Sequence, residues 1–242
     1  MALIEALLTA KLKRMVVRTL KLALATFFAT SVLAVIAYKF IPVYFTPLMA
    51  IRACQQIAQG ERLTCHKTWT PINKISKHMV TAVVASEDAK FMKHHGFDWA
   101  GISSAAKKNL QSDKKQKVGG STISQQTAKN VFLWQRQSWL RKGLEAYFTV
   151  LIEVFWGKER IMEVYLNVIE MGDGGIYGAQ AAAEQHFGRD AATLTRGQAA
   201  LIAATLPNPH RFSAKSPSAY VWKRQNAILK NMNLVGEVKL HD

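Results

Sequence analysis

SKHMVTAVVASEDAKFMKHHG, residues 76–96, opens on a serine able to cap a helix. It carries Met79, Val80, Val83 and Val84 at helical spacing and closes on Glu87 and Asp88. A carboxylate that ends an apolar helix, instead of decorating its polar face, sits where burial and the negative end of the helix dipole both disfavour the charged form. A carboxyl so placed, at the Glu87-Asp88 end of the helix, is a candidate general acid or base. The plainer alternative is pairing of Glu87 and Asp88 with Lys90 or Lys93 on a solvated helix end. His94, His95 and Asp98 could suggest a metal, but Gly96 breaks the helix that would align them, which favours hydrogen bonds that stabilise a turn.

Helical patterns continue on the C-terminal side. Asp98 can cap a helix holding Ile102, Ala105, Ala106 and Leu110, and Gly119-Gly120 is a turn, with Ser121 or Thr122 capping the next helix. Leu140, Leu144, Tyr147, Leu151 and Phe155 place a helix over about 138–156, stopped by Gly157. Further helices are expected near 158–170, up to Phe187 after a loop holding Gly172, Gly174, Gly175 and Gly178, from the capping box Thr195-x-x-Gln198, and over 218–233. Alternating strand patterns are scarce, so the fold class is mainly α.

On the N-terminal side the composition changes. The chain has 242 residues, 49% of them hydrophobic, with 32 Lys+Arg against 16 Asp+Glu and a net charge of +16. So apolar a chain is not a disordered polycation, and its charge points to an anionic partner: nucleic acid, a membrane surface or an anionic substrate. No acidic residue lies between Glu5 and Glu61, while Lys11, Lys13, Arg14, Arg18 and Lys21 precede the uncharged run Leu22–Tyr38. With Lys39 snorkelling and Phe40 to Phe45 extending it, this run makes one transmembrane helix, 21–44. The basic cluster puts residues 1–20 in the cytoplasm, with a connecting segment at 45–70 and an exported domain at 71–242. A cleaved signal peptide at Val35-Ile36-Ala37 is the alternative, but the apolar run is too long for one. Cys54 and Cys65 would then lie in an oxidising compartment, where a disulfide is allowed but not demanded.

The chemistry gathers in four segments. In GGSTISQQTAKN (119–130) the turn and capped helix expose backbone N–H groups to an oxyanion, and Gln126 and Lys129 lie within a turn of each other. No Walker loop is present, and Gln125 and Gln126 also read as surface polar residues. Arg141 and Glu145, at i and i+4 beside Lys142, make either a surface ion pair or a carboxylate held among cations. In KERIMEVYLN (158–167), Tyr165 and Asn167 serve the fold as readily as a ligand. From Gly101 to Glu145 the basic residues Lys107, Lys108, Lys114, Lys115, Lys117, Lys129, Arg136, Arg141 and Lys142 face only Asp113 and Glu145, so positive charge surrounds this region.

Glu87-Asp88-x-x-Phe91-x-x-His94-x-Gly96, Gly119 through Gln126 with Lys129 and Asn130, Arg141-Lys142-x-x-Glu145, and Lys158-x-x-Ile161-x-x-x-Tyr165-x-Asn167 occur in the order and spacing of the bacterial peptidoglycan glycosyltransferases. The chain resembles that family from about residue 70 to 232. With an anchor and no further domain, it is similar to the monofunctional members. Ser104-x-x-Lys107 spells the nucleophile motif of the transpeptidase domain in bifunctional relatives, but no Lys-Thr-Gly comes after it.

The resemblance implies a lysozyme-like glycosyltransferase domain that polymerises lipid II in cell-wall biosynthesis. Glu87 would deprotonate the GlcNAc 4-hydroxyl of lipid II. That hydroxyl would attack the anomeric carbon of the growing lipid-linked chain, with inversion to a β-1,4 bond and release of undecaprenyl pyrophosphate. Lys129, Arg141 and Lys142 would meet the pyrophosphate charge. Glu145 would be the second catalytic carboxylate, orienting these cations or holding a divalent ion such as Mg or Mn; no other cofactor is implied. Asp88, Phe91, His94, Gly120, Ser121, Thr122, Gln125, Gln126, Asn130, Arg136, Lys158, Tyr165 and Asn167 complete the implied substrate-binding set. Relatives carry an arginine where this chain has Gln137, which leaves Arg136 as its nearest substitute. Implied partners are lipid II, polyprenyl-pyrophosphate-linked glycan, membrane lipids and proteins of wall synthesis or division, and not nucleic acid. The implied location is the bacterial inner membrane, single-pass, with the catalytic domain periplasmic. A lysozyme-type hydrolase would share the fold and the glutamate but would not need the phosphate-binding cations. A membrane-anchored nucleic-acid binder rests on charge alone, and Lys107–Lys117 lacks the aromatic residues that would stack bases.

Overall fold

A computed structural model describes residues 2–104, 120–136 and 138–240, with side chains from residue 11 onward. Ala105, Ala106, Leu110, the lysines 107, 108, 114, 115 and 117, Asp113, Gly119 and Gln137 lie outside the described residues. Two units are distinguished, Met1–Ile41 and Pro42–Asp242.

The first unit is helix α1 (Ala2–Phe40), whose stretch Lys11–Phe40 is long and apolar enough to cross a membrane. The helix takes in the basic cluster and ends before the expected residue 44, because Pro42 disfavours helical geometry at the residue before it. Two of its hydroxyls are satisfied within the helix, Thr30 Oγ1 donating to Thr26 O at 2.8 Å and Ser31 Oγ to Phe28 O at 3.0 Å.

The second unit is mainly helical. Within the segment expected to be a mere connection, α2 (Pro47–Ala58) forms. Thr46 caps it, Pro47 takes its first turn, where no N–H is needed, and Leu48 and Met49 are buried against Tyr177. Then come α3 (Lys77–Glu87), α4 (Ile123–Phe132), α5 (Trp139–Phe155), α6 (Lys158–Val168), α7 (Gly178–Phe187), α8 (Arg196–Thr205) and α9 (Ala219–Val235). Ser76, Thr122, Ser138, Thr195 and Ser218 cap α3, α4, α5, α8 and α9, and Thr122/Gln125 and Thr195/Gln198 both close reciprocal capping boxes. Cys54 and Cys65 are exposed free thiols.

The glycine-rich loop is in part a small sheet of β1 (His66–Lys67), β2 (Glu170–Gly172) and β3 (Ile176–Tyr177), ordered β1-β3-β2, with β1 parallel and β2 antiparallel to β3. Strands this short carry no readable alternation. α3 packs on α8 and α9, while α4 packs on α5 and α6. Every α3 residue from Met79 to Ala85 is buried, so this central helix leaves the core at its first two residues and again at its last turn.

Candidate active site

That last turn carries Glu87, half-buried. One carboxylate oxygen accepts from Ser86 Oγ at 3.1 Å and the other from Gln126 Nε2 at 3.1 Å. The Tyr165 hydroxyl donates to Gln126 Oε1 over a longer 3.4 Å, which fixes the amide with its N–H groups toward Glu87. Tyr165 is fully buried, and burial, assisted by the negative Glu87 and Asp88, holds its hydroxyl well above the ordinary phenol range. It remains a proton donor throughout the physiological range.

Asp88 is also buried, but its oxygens are occupied. His94 Nε2 donates to both, at 3.0 and 2.9 Å, and Ile123 N donates to Oδ2 at 3.1 Å. A carboxylate at the first turn of α4 complements the helix dipole. Thr122 Oγ1 donates to Gly96 O at 2.6 Å, a second tie between the 88–96 turn and α4. Gly96 has φ +88°, and a Cβ there would lie 2.8 Å from Thr149 Cγ2, so α5 approaches this turn as closely as only glycine permits. Phe91 is fully buried, with Lys158 Nζ 4.6 Å from its ring centre. Asp98 pairs with Lys90 at 3.4 Å.

One turn beyond Gln126, Lys129 reaches an open pocket of about 580 Å³ lined by Ser121, Lys129, Ser138, Trp139, Arg141, Lys142 and Glu145. Glu145, only 3% exposed, accepts from Arg141 Nη1 at 2.9 Å and from Lys142 Nζ at 2.5 Å. Arg141 is buried and its Nε–H has no partner among the described residues. A buried unpaired donor is costly. Burial lowers the pKa of Lys129; Arg141 and Lys142 push the same way, against Glu145 and Glu87. An anionic ligand would relieve that crowding of cations. A divalent ion at Glu145 would draw most of its ligands from substrate phosphates and water, because among the described residues Glu145 is the lone carboxylate in the lining and both its oxygens already face cations.

The other expected site residues separate into two groups. Ser121 lines the pocket and exposed Gly120 precedes it. Arg136 is exposed in the bend between α4 and α5, outside the lining. Thr122 and Gln125 are consumed by their capping box, and Asn130 Nδ2 bonds Gln126 O at 2.8 Å. Lys158 Nζ pairs with Glu153 at 2.7 Å. Asn167 lies with the connecting segment, accepting from Thr70 N at 2.7 Å and donating to Thr70 O at 2.8 Å. Ser138, Trp139 and Glu153 are not singled out by the sequence. For Glu153 the available signal is its position two turns after Glu145, on the same face of α5.

A central helix ending on a glutamate, beside a helix that carries a cationic pocket, defines a glycosyl-transfer class of site, and the comparisons agree. The transglycosylase family model matches residues 55–233, and the chain belongs to that family, with its lysozyme-like, mainly α fold. It is 61% identical over 209 residues to a biosynthetic peptidoglycan transglycosylase of Bacteroides thetaiotaomicron, covering 86% of this chain and 83% of the relative. A relative of the same name in Bdellovibrio bacteriovorus is 51% identical over 210 residues (87% and 83%), and one in Caulobacter vibrioides is 50% identical over 230 residues (95% and 96%).

Proposed function

We propose that this chain is a peptidoglycan glycosyltransferase that polymerises lipid II. The observation carrying the reading is the division of labour along α4. Gln126 bonds Glu87, and Lys129 enters the cation pocket about 4.5 Å further along the helix axis, at 1.5 Å per residue. The partner of the base and a cation of the pyrophosphate site thereby share one rigid element.

In this reading Glu87 takes the proton from the GlcNAc 4-hydroxyl of the acceptor, and the hydroxyl oxygen attacks the anomeric carbon of the lipid-linked donor from the opposite face. The β-1,4 bond forms as the bond to undecaprenyl pyrophosphate breaks. A pyrophosphate leaves once its charge is met, and Lys129, Arg141 and Lys142 meet it, with Ser121 and Ser138 adding hydroxyls. Glu145 touches no substrate; it aims Arg141 and Lys142. Asp88, His94, Phe91, Lys158, Gln125, Asn130 and Asn167 act by holding the scaffold. A hydrolase of the same fold has no use for this cationic pocket. The apolar α1 supports single-pass anchoring, with residues 1–20 cytoplasmic and the domain after 70 on the periplasmic side, among membrane lipids and the wall-synthesis machinery.

The test is polymerisation of lipid II by the purified protein. Glu87→Gln should keep the fold and lose about 10²–10⁴-fold in kcat, the span of general-base catalysis. A variant that polymerised at the normal rate would remove Glu87 from the role of base.

A further inference from the structure

We propose that Glu153 is a positioning residue for the reaction, a clamp that sets α4 against the turn following Glu87; the proposal rests on the glycosyl-transfer reading above. Glu153 projects from α5 with its side chain 8% exposed. Its Oε1 accepts from Ser124 Oγ and, at 2.7 Å, from Lys158 Nζ. Lys158 Nζ in turn lies 4.6 Å from the centre of the Phe91 ring, and a Cβ on Gly96 would come within 3.1 Å of Glu153 Cγ. One buried carboxylate thus touches α4 through Ser124, the 88–96 turn through Gly96, and α6 through Lys158, which is itself seated on Phe91 of that turn.

Ser124 is fully buried in the first turn of α4. Gln126 and Lys129 lie further along the same helix, so a rotation or slide of α4 at Ser124 would move the partner of Glu87 and the pocket cation together. Packing alone would be served by a neutral side chain. The carboxylate is needed because the Lys158 ammonium, mostly removed from water, requires an opposite charge, and because Ser124 requires an acceptor.

The experiment uses the full chain in detergent and lipid, with Ser124→Ala, Glu153→Gln and the double variant. Hydrogen exchange is followed in segments 122–132 and 88–96, with α8 and α9 as internal references. Protection in the two segments should fall roughly tenfold, the equivalent of one lost hydrogen bond, while the references hold. In lipid II polymerisation, kcat should fall by a similar factor at nearly constant KM, and Ser124→Ala should cost less in the Glu153→Gln background than alone, since an amide still accepts from Ser124 but has lost the ion pair that fixes it. A lower Tm with wild-type kcat and KM in the folded enzyme overturns the positioning role, as does unchanged exchange in α4. Wild-type protein that makes no polymer defeats the reaction reading, and exchange at α4 then still decides the clamp. If Glu153→Gln fails to fold, Ser124→Ala, which removes a single hydroxyl, carries the same test.

Discussion

Gly96→Ala measures how tightly the turn after Glu87 is held. At φ +88° an L-residue is strained by about 1–2 kcal/mol. The new Cβ would stand 2.8 Å from Thr149 Cγ2 and 3.1 Å from Glu153 Cγ, both in packed surroundings; relieving such overpacking costs about 1–3 kcal/mol. Stiffening of the unfolded chain returns about 0.4–1 kcal/mol. The expected net loss is about 3 kcal/mol, a fall in Tm of roughly 6–12 °C for a domain of this size. Gly188→Ala is the internal control: its φ is +61° but no described atom lies within 4 Å of the added Cβ. It should show the strain alone, roughly 2–4 °C. Thr149→Ser removes the clashing methyl and keeps the hydroxyl that donates to Glu145 O, so combined with Gly96→Ala it should recover part of the loss. Thermal unfolding followed by circular dichroism reads all four proteins. If Gly96→Ala costs no more than Gly188→Ala, or Thr149→Ser brings no relief, the close approach of α5 to this turn is not what holds it.

Tyr165→Phe removes the donor that orients Gln126; about 1 kcal/mol of stability and roughly tenfold in kcat should be lost at constant KM, and an unchanged kcat would break the link from Tyr165 to Glu87. Lys129, whose pKa burial lowers, should have it raised again by bound pyrophosphate; calorimetry over a pH series in two buffers of different ionisation heat reads the proton uptake, and Lys129→Met should abolish it. Lys67, half-buried and donating to Val43 O, has its pKa lowered to about 8 from 10.5, chiefly by desolvation. The unfolded chain then holds the extra proton between those values, so Lys67 costs stability below pH 8 and the cost fades toward 10.5. Lys67→Met should flatten the rise of Tm over that window, and parallel curves for the two proteins would contradict the shift.

Much of this molecule is legible along the chain. Ser76, Thr122 and Thr195 are local signals, each satisfying an N–H two or three residues ahead, and they cap helices as expected; Ser138 and Ser218 cap the helices expected from about 138 and 218. The apolar run before Pro42 is equally local. α2 is not legible because its reason to form is remote: Leu48 and Met49 need Tyr177. The same limit applies within the site. Spacing marks Glu87 and Asp88 as neighbours of equal standing, yet only Glu87 meets Gln126 at the surface, while Asp88 is spent on Ile123 N and His94.

Sequence alone determined the helical class, the apolar N-terminal helix, the order of the four segments and the pool of chemical groups, because periodicity, caps and charge runs act within a few residues. Tertiary structure decided which of those groups are left over for chemistry. It turned Asn167 toward Thr70, set Glu153 between Ser124 and Lys158, and left Arg141 Nε buried without a partner among the described residues. A side chain's function depends on which of its polar atoms remain unsatisfied, and that is settled only when distant segments come into hydrogen-bonding distance.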